Sequence, residues 1–430
     1  MTTTRPRGKV PSTSRSVRAA VPIRPPVNPI AADADAGGRR SGGQIAISVA
    51  QKVFGAETST FFLLLGTTLF LLAFGLVMVL SASSVEDGAG ASHDFFSSFS
   101  RQGLYAIIGV PLMLVASRMP MGFWKKWAWP AVIGTSVLQL LVFLPGLGVY
   151  YQGNTNWIKI GPFEAQPSEL VKLALILWVA WILAAKKNLL EDWKHVFLPI
   201  APVAIVAIGL VLAGNDLGTA LILGAIVLGC LFYAGVRFRI IAVALAAVAV
   251  AVFIALHVGG SSRGSRISAF LTGCPASAYD TQYCWQPIHG WWGIASGGIF
   301  GSGLGESKAK WSWLPNASND FIFAIIGDEL GFIGAVLVLL LFVVLAIAFV
   351  RIIRTSRDPF AKIVTSGVMI WLIGQAFVNI AVVLGLLPVL GVPLPLISAG
   401  GSSLIASLLA VGVVLSFARH QPEPIPMAQL

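Results

Sequence analysis

Charge is what this 430-residue chain has least of: Asp, Glu, Lys and Arg make up 11% of it, against about 25% in ordinary soluble domains. The apolar share is 56% and mean hydropathy is +0.83. A soluble fold of this length cannot hide that much apolar surface, because its exposed shell must stay largely polar. A soluble enzyme, a disordered regulator and a DNA-binding domain are excluded. The net charge of +11 is not a nucleic-acid signature, since the basic residues stand in short clusters between apolar runs, as topology signals do. No acid precedes Asp33. Cysteine is sparse as well. Cys230 lies in an apolar run and reads as packing. Cys274 and Cys284 share one polar loop with nine residues between them; they can pair if that loop faces an oxidising compartment, and are free thiols otherwise. His289 stands without a ligand set, and no Cys/His cluster has zinc spacing. No internal repeat is evident, which weakens a transporter built on inverted repeats.

What the chain does have is a series of apolar runs. Ten of them approach the ~20 residues that cross a hydrocarbon core: 60–82, 104–117, 127–145, 168–185, 196–213, 217–235, 239–257, 321–350, 363–384 and 397–418. The pattern predicts an all-α polytopic membrane protein. Residues 1–56 are rich in Arg, Ser and Pro and read as a disordered basic tail. They hold no apolar h-region of a secretory signal, and Pro22, Pro25, Pro26 and Pro29 argue against the amphipathic helix of a transit peptide.

Charge bias sets the orientation. With the N-terminus inside, the inner segments hold 22 of the 29 Lys and Arg, nine of them in the tail. Both termini are therefore expected in the cytoplasm, with 419–430 as a short C-terminal tail. Eleven of the 18 acids fall outside or at outer helix ends. Residues 258–320, between the seventh and eighth spans, form a large extracytoplasmic loop with most of the outer-side charge, and long loops of this kind usually carry function.

The run GLLPVLGVPLPLISAGGSS (385–403) resembles the signature of the SEDS family, the FtsW and RodA membrane glycosyltransferases of bacterial wall synthesis. GLVMVLSASS (75–84), WIKIGPFEAQPSELVK (157–172), NDLGTA (215–220) and GIFGSGLGESKAKWSWLPNASNDFIFAIIGDELGFIGA (298–335) agree with it in order and spacing. The resemblance spans about 60–418. SASS and DFIFAIIGDELG resemble the FtsW branch more than RodA; WLPNASNDF and the basic tail resemble actinobacterial members. It implies a peptidoglycan glycosyltransferase of the plasma membrane that polymerises lipid II during division, with inversion and release of undecaprenyl pyrophosphate. It also implies a class B penicillin-binding protein and the divisome as partners, with the division septum as location.

Asp320 closes the outer loop and opens the eighth span. The resemblance places the family's proposed catalytic aspartate there. A carboxylate can take the proton of an acceptor hydroxyl; position alone equally allows a helix N-cap, stabilising by about 1 kcal/mol. Arg263, Arg266, Lys308 and Lys310 share that loop and suit a pyrophosphate, which Arg grips bidentately and Lys meets as a point charge. Solvation, or pairing with Asp280 and Glu306, is the plainer reading. Glu306 stands where the family suggests an uncharged residue. Glu169 and Lys172, three apart at the start of the fourth span, can pair on one face and support or line the cavity. Asp216 reads as the cap of the sixth span. Asp328 and Glu329 would not both ionise freely if buried together, and at least one is expected to bond a neighbouring helix. Gln375 and Asn379, one turn apart, are either interhelical bonds or sugar contacts. Pro388, Pro393 and Pro395 forbid a regular helix, so 385–403 shapes a cavity mouth where Ser398, Ser402 and Ser403 can offer hydroxyls. Gly301, Gly303 and Gly305 lack the Lys-Ser/Thr of a nucleotide loop, and Asn316-Ala317-Ser318 means little as a glycosylation acceptor in a bacterium. No cofactor is certain; Mg²⁺ or Mn²⁺ can assist such a transfer, although no ligand set appears. A lipid II flippase relying on Glu169, Lys172, Asp328 and Glu329, a transpeptidase-recruiting scaffold, and a RodA-type elongation polymerase remain the rivals.

Overall fold

The computed structural model describes residues 58–89, 96–151, 154–161, 163–258, 261–275, 281–308, 310 and 314–419. The expected tail 1–56, Asp280 and residues 420–430 lie outside them. The first helices are α1 (Ser59–Ala89), α2 (Ser97–Ala116), α3 (Met121–Leu140), α4 (Pro167–Ala185), α5 (Trp193–Ala213), α6 (Leu217–Tyr233) and α7 (Phe238–Val258). Then come α8 (Ser261–Thr272), α9 (Gln282–Gly297), α10 (Ile322–Thr355), α11 (Pro359–Met369), α12 (Gln375–Val383) and α13 (Gly401–Arg419). Among the described residues, eight helical stretches are long and apolar enough to cross a membrane, and two shorter apolar ones cover Leu217–Tyr233 and Phe238–Ile254. These fall where the ten runs were expected. In one of the eight, α11 and α12 are joined by a π turn, Ile370–Gly374.

The helices end where local chemistry dictates. Asp192, Asp216 and Asp358 accept backbone N–H groups at the starts of α5, α6 and α11, as favoured N-caps do. Pro167 and Pro359 occupy first turns, where a missing N–H costs nothing. α4 and α13 are buried along most of their length and form the centre of the bundle. α2 packs on α13, α3 on α4, and α1 on α10. α10 kinks at Gly331, whose φ is 67°, a left-handed conformation that suits glycine.

Two regions depart from the sequence reading. The segment before α4 folds into a three-stranded antiparallel sheet, β1 (Gly148–Tyr151), β2 (Asn154–Ile160) and β3 (Phe163–Ala165), in the order β1-β2-β3. β1 and β3 are only four and three residues long, and β2 opens on the polar run Asn154-Thr155-Asn156, so no sustained alternation signalled them. Segment 258–320, expected as the outer loop, is partly helical: α8 and α9 form a hairpin joined by the Cys274–Cys284 disulfide. α10 also begins at Ile322 with Phe321 at its cap position and no side-chain cap bond. Asp320 is therefore not the N-cap that its position allowed.

Candidate active site

A cavity of about 910 Å³ opens between the sheet, the α5–α6 turn, the α8–α9 hairpin, the turn before α10 and the irregular run 388–400. Asp320, Arg266, Asp216, Glu164 and Ser403 all lie on its wall. Amide side chains line it as well: Asn154, Asn156, Gln166, Gln286, Asn316 and Asn319.

The Asp320 carboxyl is half-buried on that wall. Burial pushes its pKa up from 3.8 to about 6; the positive charge of Arg266 pulls it down, and the negative charge of Asp216 pushes it further up. The carboxyl is thus ionised at neutral pH yet still basic enough to accept a proton, the balance a general base needs. Among the described residues no carboxylate comes within salt-bridge distance of Arg266. Its guanidinium and Asp320 face the same space. Asp216 is also pushed above its usual range by burial, against the Thr219 bonds that lower it. Its Oδ1 accepts the Thr219 N–H at 2.9 Å and its Oδ2 accepts Gln166 Nε2 at 2.9 Å.

The irregular run is held in place by the polar residues that the sequence singled out. Asn379 Nδ2 donates to the Asp320 carbonyl and to the Val392 carbonyl, both at 2.7 Å. Gln375 Nε2 donates to the Pro393 carbonyl at 2.9 Å. Ser398 Oγ accepts the Leu394 N–H at 2.8 Å and donates to the Asn319 carbonyl at 2.7 Å. Ser402 Oγ accepts the Gln166 N–H at 2.9 Å. Of the alternatives open for Gln375, Asn379, Ser398 and Ser402, these bonds match scaffolding. They consume groups that a head group would need and fasten the proline run to the Asp320 turn.

Beneath Ser403 lies a buried ion pair. Lys172 Nζ meets Glu169 Oε1 at 2.8 Å and Gln375 Oε1 at 2.9 Å, with both charged side chains 1% exposed. Lys172 also sits 5.0 Å above the Trp371 ring. Ser403 Oγ donates to Glu169 Oε2 at 3.3 Å, so the pair reaches the cavity wall through that hydroxyl and supports it from below.

The structure corrects two expected phosphate contacts. Lys310 is 2% exposed and turned away from the cavity; its Nζ reaches Glu329 Oε1 at 3.3 Å and the carbonyls of Gly305 and Ser81 at 2.5 and 3.4 Å. All three ammonium donors are spent on protein. Lys308 is exposed and outside the cavity lining. The α8 backbone carries Arg263, whose side chain lies outside the described residues. Asp328 accepts Ser296 Oγ and Ser307 Oγ, each at 2.5 Å, while Glu329 accepts Ser81 Oγ at 2.7 Å. Both acids thus lock α10 to its neighbours.

Among the described residues no group of three or more His, Cys, Asp or Glu side chains gathers around one point. Asp216 shares its two oxygens with the Thr219 N–H and Gln166 Nε2, and no preassembled Mg²⁺ or Mn²⁺ ligand set stands among the described residues. Sequence reasoning missed the amide lining, because single Asn and Gln residues on separate elements carry no spacing signal. Gln102 was missed for the same reason: its Nε2 donates to the Ser398 carbonyl at 3.1 Å and its Oε1 accepts the Gly400 N–H at 3.2 Å.

Residues 62–423 match a family model described as "Cell cycle protein", the group of FtsW, RodA and SpoVE. A probable peptidoglycan glycosyltransferase FtsW from Mycobacterium tuberculosis (strain ATCC 25618 / H37Rv) is 40% identical over 374 residues, 86% of this chain and 70% of the relative. A probable peptidoglycan glycosyltransferase FtsW from Geobacter sp. (strain M18) is 42% identical over 350 residues, 80% of this chain and 93% of the relative. Among solved structures, a chain from a peptidoglycan synthase complex matches with a TM-score of 0.67 and 26% identity, covering 84% of this chain and 98% of that one. The rod shape determining protein RodA of Thermus thermophilus matches with a TM-score of 0.62 and 26% identity over 86% of this chain and 99% of its own.

Proposed function

Because the chain belongs to the FtsW, RodA and SpoVE family and is a peptidoglycan glycosyltransferase, we propose that the cavity at Asp320 is where it joins two lipid II molecules at the outer membrane face. The observation that carries this reading is a basic carboxylate, raised to about 6, sharing one amide-lined cavity with the Arg266 guanidinium, which has no salt-bridge partner among the described residues. The volume of about 910 Å³ suits a sugar head group, and the amides suit its N-acetyl and hydroxyl groups.

In this mechanism the Asp320 carboxylate takes the proton of the acceptor hydroxyl. That oxygen attacks the anomeric carbon of the donor, forming the new glycosidic bond with inversion. The bond from that carbon to the pyrophosphate oxygen breaks, and undecaprenyl pyrophosphate leaves with the electron pair. Arg266 grips the pyrophosphate, already charged in the bound substrate, and keeps hold of it as the bond breaks. Asp320 returns its proton to solvent between cycles. A carboxylate alone suffices because the leaving group is already good, unlike the paired carboxylates of glycoside hydrolysis.

The charge bias of 22 inner Lys and Arg out of 29 supports cytoplasmic termini, a cytoplasmic tail over 1–56 and an outer position for the cavity. The FtsW names of its relatives support a place in the divisome at the septum, and the synthase-complex match supports a class B penicillin-binding protein partner. The test is glycan polymerisation from purified lipid II, with and without that transpeptidase, for the native chain and Asp320→Ala. Polymer from the native chain alone supports the assignment. Polymer from both removes Asp320 as the base. No polymer from either, with partner and divalent cation present, sinks lipid II polymerisation at this cavity.

A further inference from the structure

Helix α8 carries Arg266 into the cavity, yet it is a weak helix by composition. Its sequence, SSRGSRISAFLT, contains four serines and a glycine, all of low helix propensity, and twelve residues are marginal as an isolated helix. It packs on the end of α7 and on α9.

Helix α9, by contrast, is seated hard against the turn that presents Asp320. At Gly290 an added Cβ would lie 2.8 Å from the Phe321 ring, and at Gly297 one would lie 1.9 Å from the Gly327 carbonyl oxygen. At Gly290 the α9 backbone therefore lies directly on the Phe321 ring, and at Gly297 it meets the α10 backbone with no side chain between. Gln286 adds a bond from its Nε2 to the Pro315 carbonyl at 3.1 Å. Cys274 follows the last residue of α8 after Gly273 and is bonded to Cys284 in the first turn of α9, with the Cα atoms 5.6 Å apart. Ile288 and Ala269 pack around the two sulfurs. A continuous path results: Asp320, its neighbour Phe321, Gly290 on α9, Cys284, Cys274, and back along α8 to Arg266.

We propose that the Cys274–Cys284 disulfide is a positioning element of the active site, stapling α8 to α9 so that Arg266 is held at a fixed place relative to Asp320. This rests on the reading of Arg266 as the group that meets the lipid pyrophosphate. A guanidinium on an unanchored, serine-rich helix would sample many positions, and substrate binding would have to supply the ordering. The staple removes that cost beforehand.

The test is steady-state polymerisation of lipid II by four forms of the full chain: native, Cys274→Ser/Cys284→Ser, Arg266→Ala, and all three substitutions together. As a second measurement, folded native protein is reduced with dithiothreitol, which yields two thiols and oxidised dithiothreitol and avoids any failure to fold. Breaking the bond is expected to raise KM for lipid II about ten-fold, the order of one charge-assisted hydrogen bond, with a smaller change in kcat. In the Arg266→Ala background it is expected to change nothing further, because the staple acts through that side chain. Native kinetics for Arg266→Ala would overturn the pyrophosphate reading and the staple's role with it. Impaired Arg266→Ala beside native KM in both bond-broken forms would overturn the staple's role alone. Full additivity of the two effects would also overturn it, leaving the disulfide as general reinforcement.

Discussion

Replacing Asp320 by Asn separates catalysis from stability, and the two should move in opposite directions. A carboxyl whose pKa rises from 3.8 to about 6 on folding differs by about 3 kcal/mol in its interactions between the two protonation states. The folded protein binds this proton more tightly than the unfolded chain does. Its contribution to stability is therefore complete below about pH 4 and is lost as pH rises through about 6. Neutral Asn never incurs that loss. Relative to native protein, Asp320→Asn should gain stability between pH 4.5 and pH 8, by about 2 kcal/mol of the total. Over the same range its polymerase activity should fall about 10²–10⁴-fold, the usual contribution of a general base. Thermal unfolding of both proteins in detergent at the two pH values, beside glycan polymerisation from lipid II, reads both effects. A variant that loses activity with no pH-dependent gain in Tm would refute the buried, basic carboxylate; one that gains stability and keeps its activity would refute the base.

Other expectations follow from the same geometry. Native polymerisation should fall as pH drops through about 6, where Asp320 protonates, and a pH–rate profile flat down to pH 5 would contradict this. Lys310→Met should lower stability by about 3–5 kcal/mol, because it strands a buried Glu329 carboxylate. Lys310→Met/Glu329→Leu should recover most of that loss in unfolding experiments; a single variant that is fully stable but raises KM would restore Lys310 as a phosphate ligand. Asn379→Ala leaves the Asp320 and Val392 carbonyls without their donor, at about 1–3 kcal/mol each if they stay dry, and should lower Tm and kcat together. Gly391→Ala sets a Cβ 3.6 Å from Asp320 Oδ2 at a φ of 69°, so the strained backbone should lower polymerisation far more than it lowers lipid II binding.

How far the site was legible depended on whether its residues speak locally. The apolar runs located the helices because hydropathy over twenty residues is a property of one segment. Asp320 stood out because it sits where polar loop meets apolar helix within a recognisable motif. Gln375, Asn379 and Ser398 stood out as polar groups in apolar or proline-rich surroundings, but what they bond is decided across the bundle. Lys310 misled for a related reason: a lysine in an outer loop looks available for phosphate until the chain folds it under α10 to meet Glu329.

The sequence by itself determined that this is a polytopic helical membrane protein, where its apolar helices fall, and that Asp320 and Arg266 share one polar segment between two of them, because each of these follows from composition and position along the chain. Only the tertiary structure decided which charged groups face one cavity and which are buried as pairs. It brought Asp216 and amides from β2, the start of α4 and α9 onto one cavity with Asp320, set Lys172 and Lys310 against carboxylates, and closed the hairpin through Cys274 and Cys284. Those outcomes depend on how helices pack in space, and a charge reads as ligand or as strut only once its nearest neighbour is known.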